Sequence, residues 1–295
     1  MSASLVVQAI LSGGTNGVIY ALVGMGLAVI FKGSRVINAA QGEFSLVGAV
    51  IAVFAMKAAG FPYPVAFVVG ALAGALMGIV VDVCLIRPMI RRHAEEDAFL
   101  LLTIGLAFAI SAAILFFAGR DYFTLPTIGP DGVAILFDAT IRFHAISIIV
   151  ICAAIVVALR FFYRKTSFGL AMMAASIDAD GAATTGINVQ AMRTATYAMG
   201  GLLGALAGIL VAPLVPISYE MGLVFTLKGF CAAMIGGLTN PMGAIVGGLI
   251  LGLVESLAIV FIASAYKDVV ALGVLLVIMI LAPQGLLGRA GSRGG

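Results

Sequence analysis

Val65-Ala-Phe-Val-Val-Gly-Ala-Leu-Ala-Gly-Ala-Leu-Met-Gly-Ile-Val-Val-Asp-Val-Cys-Leu85 is a run of apolar and small residues broken by one charge, Asp82. About 20 mostly apolar residues carry an α-helix across the ~30 Å hydrocarbon core of a bilayer, so this stretch is long enough to span. Pro62 and Pro64 precede it and Arg87, Arg91 and Arg92 follow it. Outward in both directions the pattern recurs over Val6–Ile30, Phe44–Ala59, Phe99–Phe117, Ile146–Phe162, Thr194–Val211, Ile245–Ile262 and Asp268–Ile280. A shorter run, Gly222–Leu238, contains Lys228 and suits either a full crossing or a re-entrant segment. The expected fold is all-α: a polytopic transmembrane helix bundle of about eight to nine spans, with 1–295 as one membrane domain.

Composition agrees. Of 295 residues 63% are hydrophobic and 10% charged, with a mean hydropathy of +1.22. A water-facing surface needs roughly 25% charged residues, so a soluble chain is excluded. The net charge of +3 and the lack of basic runs interleaved with aromatics set nucleic acid aside as a partner. Cys84, Cys152 and Cys231 lie scattered in apolar runs and suggest neither disulfides nor a metal site. The N-terminus lacks a basic n-region and runs straight into an apolar segment, so no cleavable signal peptide is expected.

Basic residues in the connections set orientation. Lys32, Arg35, Arg87, Arg91, Arg92, Arg160, Arg164, Lys165, Arg193, Arg289 and Arg293 fall on one side, against Lys57, Arg120, Arg142 and Lys267 on the other. The richer side is expected to be cytoplasmic, with the C-terminus inside and, given nine crossings, the N-terminus outside. The outer connection Ala118–His144 carries Pro126, Gly129, Pro130 and Gly132 and reads as irregular. The inner connection Tyr163–Arg193 reads as two short helices, about Leu170–Asp178 and Asp180–Thr185, ending near Gly186. Ser167 or Thr166 supplies a cap for the first.

An inverted internal repeat is suggested where Gly42-Glu-Phe leads to Pro64, Gly70 and Gly74, and Gly229-Phe-Cys leads to Pro241, Gly247 and Gly252. Such halves, with interrupted helices at matching positions, are a common build for transporters. Gly200-Gly201, Gly204 and Gly208 place glycines on one helix face, the small-residue pattern that lets helices approach closely.

Charges within apolar spans cost about 2.5–3.5 kcal/mol on insertion scales and need a reason. Asn38–Gly42 is polar and glycine-containing between two apolar helices, with Glu43 next. Two readings stand open: a helix break lining a translocation path, or a cytoplasmic turn whose Glu43 favours the helix N-terminus. Lys228 either snorkels to a headgroup or faces a pore. Glu255, mid-helix, suits a paired or protonated role within the bundle, and Asp82 a structural one. The candidate path residues are Asn38, Gln41, Gly42, Glu43 and Lys228. His93 and His144 stand apart, and no nucleophile elbow, paired-histidine or phosphate-loop motif occurs, so no enzyme, metal site or resident cofactor is expected.

Several blocks resemble the permeases of branched-chain amino-acid ABC importers, the LivH-type subunit in particular. They are Asn16-Gly-Val-Ile-Tyr-Ala-Leu, Gly26-Leu-Ala-Val-Ile-Phe, Ile37-Asn-Ala-Ala-Gln-Gly-Glu-Phe, Ser167-Phe-Gly-Leu-Ala-Met, Ile177-Asp-Ala-Asp, Thr185-Gly-Ile-Asn-Val, Ala205-Leu-Ala-Gly-Ile-Leu and Gly236-Gly-Leu-Thr-Asn-Pro-Met-Gly-Ala. The resemblance implies a permease subunit in the cell inner membrane that carries branched-chain or other hydrophobic amino acids. It implies as partners a second, LivM-like permease, two cytoplasmic ATPases that use the ATP, and an external solute-binding protein. It also implies that residues 163–193 are a cytoplasmic coupling loop docking on an ATPase through Gly169, Asp178, Ala182 and Gly186. Two departures stand out: Gln41 where the family often has His, and Met173 where it often has Arg. The rival class is an ion-coupled secondary transporter or channel that needs no ATPase.

Overall fold

The computed structural model describes residues 3–128, 132–136 and 139–288. Helix α1 (Ala3–Ser34) ends at Arg35, whose φ of 60° turns the chain out of the helix. After a break over residues 35–40 come α2 (Gln41–Lys57) and α3 (Tyr63–Val81), the latter opened by Pro64 in its first turn. A proline there gives up only an N–H that has no helical partner. Pro88 recurs 24 positions on, inside what would be one rod. A π-turn at Asp82–Ile86 absorbs it before the short α4 (Arg87–Arg91), so Tyr63–Arg91 runs as a single apolar span.

Next come α5 (Glu96–Ala118), α6 (Phe143–Lys165), the short α7 (Ser167–Ile177) and α8 (Ala179–Thr184), and the long α9 (Val189–Val211). Then follow α10 (Met221–Gly236), α11 (Gly243–Phe261) and α12 (Lys267–Leu281). Every predicted crossing is a helix. Among the described residues seven are long and apolar enough to span, while α2 and α10, with 17 and 16 residues, are shorter. Arg289 and Arg293, used in the orientation argument, lie outside the described residues.

One expectation is corrected. The outer connection is not wholly irregular: Val133–Leu136 (β1) pairs antiparallel with Ala139–Arg142 (β2). The apolar and β-branched residues of Val133-Ala-Ile-Leu and Ala139-Thr-Ile-Arg suit a short ladder, which a search for turn residues overlooks. Gln8 of α1 tethers it by accepting from the Thr140 N–H at 2.8 Å. Gly129 and Pro130 lie outside the described residues.

The helices pack with an internal two-fold pattern. The most extensive interfaces join α1 to α11 and α9 to α3; α1 also packs on α9 and α10, and α9 on α2. Helices α2 and α3 pair, as do α10 and α11, and α2 meets α10. Exchanging α1 with α9, α2 with α10 and α3 with α11 leaves this set of partnerships unchanged. Gly13 lies against Gly252 and Gly17 against Gly248, while Gly26 lies against Gly200 and Gly33 against Thr196. Both pairs of helices therefore run antiparallel, which makes the repeat an inverted one. The elements correspond as the sequence suggested, but the register does not: Gly42 meets Gly222 in the first turn of α10, not Gly229.

Candidate functional site

The break between α1 and α2 lies inside the bundle, where every backbone polar group needs a protein partner or a water-lined cavity. Asn38 is fully buried, and its Oδ1 accepts from the Ala40 N–H at 3.1 Å. Thr103, reaching in from α5, accepts from the Ala39 N–H at 3.1 Å. The Gly42 N–H donates to Thr226 Oγ1 of α10 at 2.9 Å. A Cβ on Gly42 would strike the Gly222 carbonyl, and a Cβ on Gly222 would strike the Glu43 carboxylate. Glycine at both positions is what lets the first turns of two oppositely running helices abut.

Against this junction lies a cavity of about 410 Å³. The α1–α2 break contributes Ile37, Asn38 and Ala39, α2 contributes Glu43, and α5 contributes Leu100, Ile104, Ala107, Phe108 and Ser111. The rest comes from Leu27, from Tyr219 and Glu220 before α10, and from Leu223, Thr226, Leu227 and Phe230 on α10. The walls are mostly apolar, and among the described residues no basic side chain lines them. Glu43 is fully buried, and its Oε1 accepts from Ser111 Oγ at 3.2 Å. Glu220 is exposed; it accepts from the Tyr219 hydroxyl at 2.7 Å, which raises the Tyr219 pKa above the ordinary phenol value.

Of the five path candidates, Asn38 and Glu43 line this cavity. Gln41 and Gly42 stand one layer behind: Gln41 is fully buried and donates from Nε2 to the Gly200 carbonyl at 2.9 Å, fixing α2 to α9. Lys228 is not brought to the cavity. It forms ion pairs with Glu255 of α11 and, at 2.5 Å, with Asp268 of α12, beside a Tyr20 hydroxyl that donates to Glu255 at 2.9 Å. It does not line the cavity, and Glu255 is paired within the bundle as expected.

The inner connection folds as two short helices. Thr166 is the cap: its hydroxyl accepts from the Gly169 N–H at 3.0 Å, so α7 starts three residues earlier than predicted. Asp178 caps α8 by accepting from the Gly181 N–H at 2.9 Å. Ala182 is buried, whereas Ile177, Ala179, Asp180 and Ala183 are exposed around it. A Cβ on Gly169 would strike the Phe162 carbonyl, so glycine permits the tight α6–α7 corner. Gly186 has a φ of +84° and turns the chain from α8 into α9.

At the foot of α9 stands a group that sequence alone identified only as structural. Asp82 is fully buried and accepts from Arg193 Nε at 2.8 Å, Arg87 Nε at 3.1 Å and Thr194 Oγ1 at 2.6 Å. It pins the start of α9 to the π-turn after α3. The lone acid in the quoted span was the available signal; Arg87 lies five positions away, but Arg193 and Thr194 lie 111 and 112 positions away.

Comparisons with known proteins agree with this architecture. A family model described as branched-chain amino acid transport system, permease component, matches residues 9–279. The high-affinity branched-chain amino acid transport system permease protein LivH of Escherichia coli K12 is 28% identical, covering 96% of this chain and 95% of its own length. The probable branched-chain amino acid transport permease LivH of Methanocaldococcus jannaschii is 29% identical over 90% of this chain and 88% of its own. A more distant similarity, 22% identity over 74% of this chain and 67% of its own, is to the ribose import permease RbsC of Haemophilus influenzae. No solved structure matches.

Proposed function

The chain belongs to the family of branched-chain amino acid transport system permease components, and on that premise we propose that its cavity is part of the path by which a branched-chain or other hydrophobic amino acid crosses the membrane. It is a multi-pass inner-membrane permease of an ABC importer, which works with ATPase and binding-protein partners. The finer assignments are ours: a heterodimer with a LivM-like permease, two cytoplasmic ATPases that use the ATP, no cofactor on this chain, and a cytoplasmic C-terminus. Asn38 and Glu43 form the wall of the path, with Gln41 and Gly42 behind them. The observation that carries this reading is the meeting of the first turns of α2 and α10 at one apolar cavity.

Residues 163–193 serve as the coupling segment, through Gly169, Asp178, Ala182 and Gly186. The exposed rim of α8 suits docking, and the chain passes from it through Gly186 directly into α9. Helix α9 lies against α1, α2 and α3 and leads to Tyr219 and Glu220 at the cavity. A nucleotide shifts which side the path faces only if ATPase closure favours one position of this lever.

Two measurements test the proposal. Ala107→Trp, which projects a large ring from α5 into the cavity, is expected to abolish leucine uptake by vesicles holding the complete importer; undiminished uptake rejects the path. Gly186→Val forces a branched residue into left-handed backbone at a cost of about 1–2 kcal/mol. Lower uptake per ATP hydrolysed is expected, and an unchanged ratio rejects the coupling role. Uptake that persists without ATPases and follows an ion gradient would favour the secondary-transporter reading.

A further inference from the structure

The cavity wall holds two unpartnered polar atoms of opposite kind. Glu43 Oε2 is buried with no hydrogen-bond donor, and Asn38 Nδ2 is buried with no acceptor. Both residues are fully buried and both line the cavity. Buried polar groups are ordinarily satisfied, so each such exception calls for an explanation.

Local bonding fixes what each atom offers. The Asn38 amide is oriented because its Oδ1 takes the Ala40 N–H, which leaves Nδ2 as a donor with nothing to receive it. Among the described residues Glu43 has only the Ser111 hydroxyl, and that hydroxyl also lies 3.0 Å from the Tyr219 carbonyl. One hydroxyl proton serves one acceptor at a time, so the carboxylate is under-supplied even at Oε1. The N-termini of α2 and α10, which carry partial positive charge, lie beside Glu43, yet among the described residues no Lys or Arg lines the cavity to pair with it. Glu220 adds a second negative charge to the lining. A buried carboxylate with no cation among the described lining residues, sharing a cavity wall with a spare amide donor and aliphatic side chains, is complementary to one chemical pattern. That pattern is an ammonium group close to a carboxylate, on a compact apolar body.

We propose that Glu43 and Asn38 form a recognition site for a free α-amino acid within the permease itself: the ammonium group binds Glu43 Oε2, the carboxylate binds Asn38 Nδ2, and the aliphatic side chain lies against Leu223, Leu227 and Phe230. The site rests on the cavity being the transport path. Selectivity is then exercised twice, once by the external binding protein and again inside the membrane. Neutral amides and ureas, which lack the cation, are disfavoured at the second step even when delivered.

The test uses the full chain with its membrane partners in lipid nanodiscs, without the external binding protein, and tritiated leucine as probe. Isopentylamine keeps the ammonium and the branched tail, whereas isocaproate keeps the carboxylate and the tail. Isopentylamine is expected to displace leucine, and isocaproate to compete about tenfold or more less well, as loss of a charged hydrogen bond implies. Glu43→Gln should weaken leucine about tenfold or more and remove competition by the amine. Asn38→Ala should weaken leucine but leave the amine unaffected. The competitor series on the unaltered protein decides the matter if either variant fails to fold. Absence of leucine binding, equal competition by the two analogues, or a Glu43→Gln protein that binds like the original overturns the site. Ala107→Trp separates the two levels: blocked uptake by this variant, together with failed discrimination between the analogues by the unaltered protein, retains the path and discards the site, and unblocked uptake discards both.

Discussion

Asp82→Ala is expected to destabilise the protein by about 3–5 kcal/mol, the usual cost of removing one partner from a buried ion pair. The carboxylate is fully buried and is the counter-ion of Arg87 and Arg193, whose side chains are only 25% and 13% exposed. Arg193 Nη2 is already buried without a partner, so the variant leaves a cation with still less to bind. Asp82→Asn keeps an acceptor for Thr194 but loses the charge, and its loss should be smaller. The damage is also mechanical, because Arg193 and Thr194 sit near the start of α9, just beyond the Gly186 turn. If α8 couples to the cavity as proposed, releasing that end is expected to lower uptake per ATP hydrolysed. Thermal unfolding in detergent, together with uptake per ATP hydrolysed, reads both effects. Unfolding of Asp82→Ala at the original temperature would show that the network contributes nothing.

Gly208→Leu is expected to yield no folded protein. A Cβ at this position falls on the Ser45 carbonyl of α2, and backbone cannot swing aside as a flexible side chain can. Overpacking in a tight core costs about 1–3 kcal/mol per added group, occasionally more, so even Gly208→Ala should melt early. Gly105 in α5 is the internal control, since a Cβ there meets nothing within 4 Å. Gly105→Ala should be neutral or stabilising by up to about 1 kcal/mol, the difference in helix propensity. Gel filtration after detergent extraction reports the outcome. A Gly208→Leu protein that elutes like the original would remove the close α2–α9 contact from the account of the fold.

These contacts show why some features were legible in the sequence and others were not. The spans, the helices of the inner connection and the glycine faces of α9 and α11 follow from hydropathy, capping and four-residue spacing, all short-range properties. The Thr166 and Asp178 caps act across three residues. The hairpin at Val133–Arg142 escaped because Pro126, Gly129, Pro130 and Gly132 dominate its surroundings and hide a short β-branched ladder. Lys228 was equally ambiguous, since a lone cation in an apolar helix gives no hint of Glu255, 27 positions on, or Asp268, 40 positions on.

By itself the sequence determined that this chain dissolves in lipid as a set of helices, because helix length and side-chain polarity are matched to the bilayer residue by residue. It also determined where α7 and α8 lie, since their ends are made by neighbouring side chains. Which charges meet, and where space is left between them, only the tertiary structure decided. Interhelical register sets Asp82 beside Arg193, Lys228 beside Glu255, and Glu43 in the wall of a cavity. That register is fixed by backbone contacts at glycines such as Gly42, Gly201 and Gly208, and it depends on pairs of residues that no local pattern links.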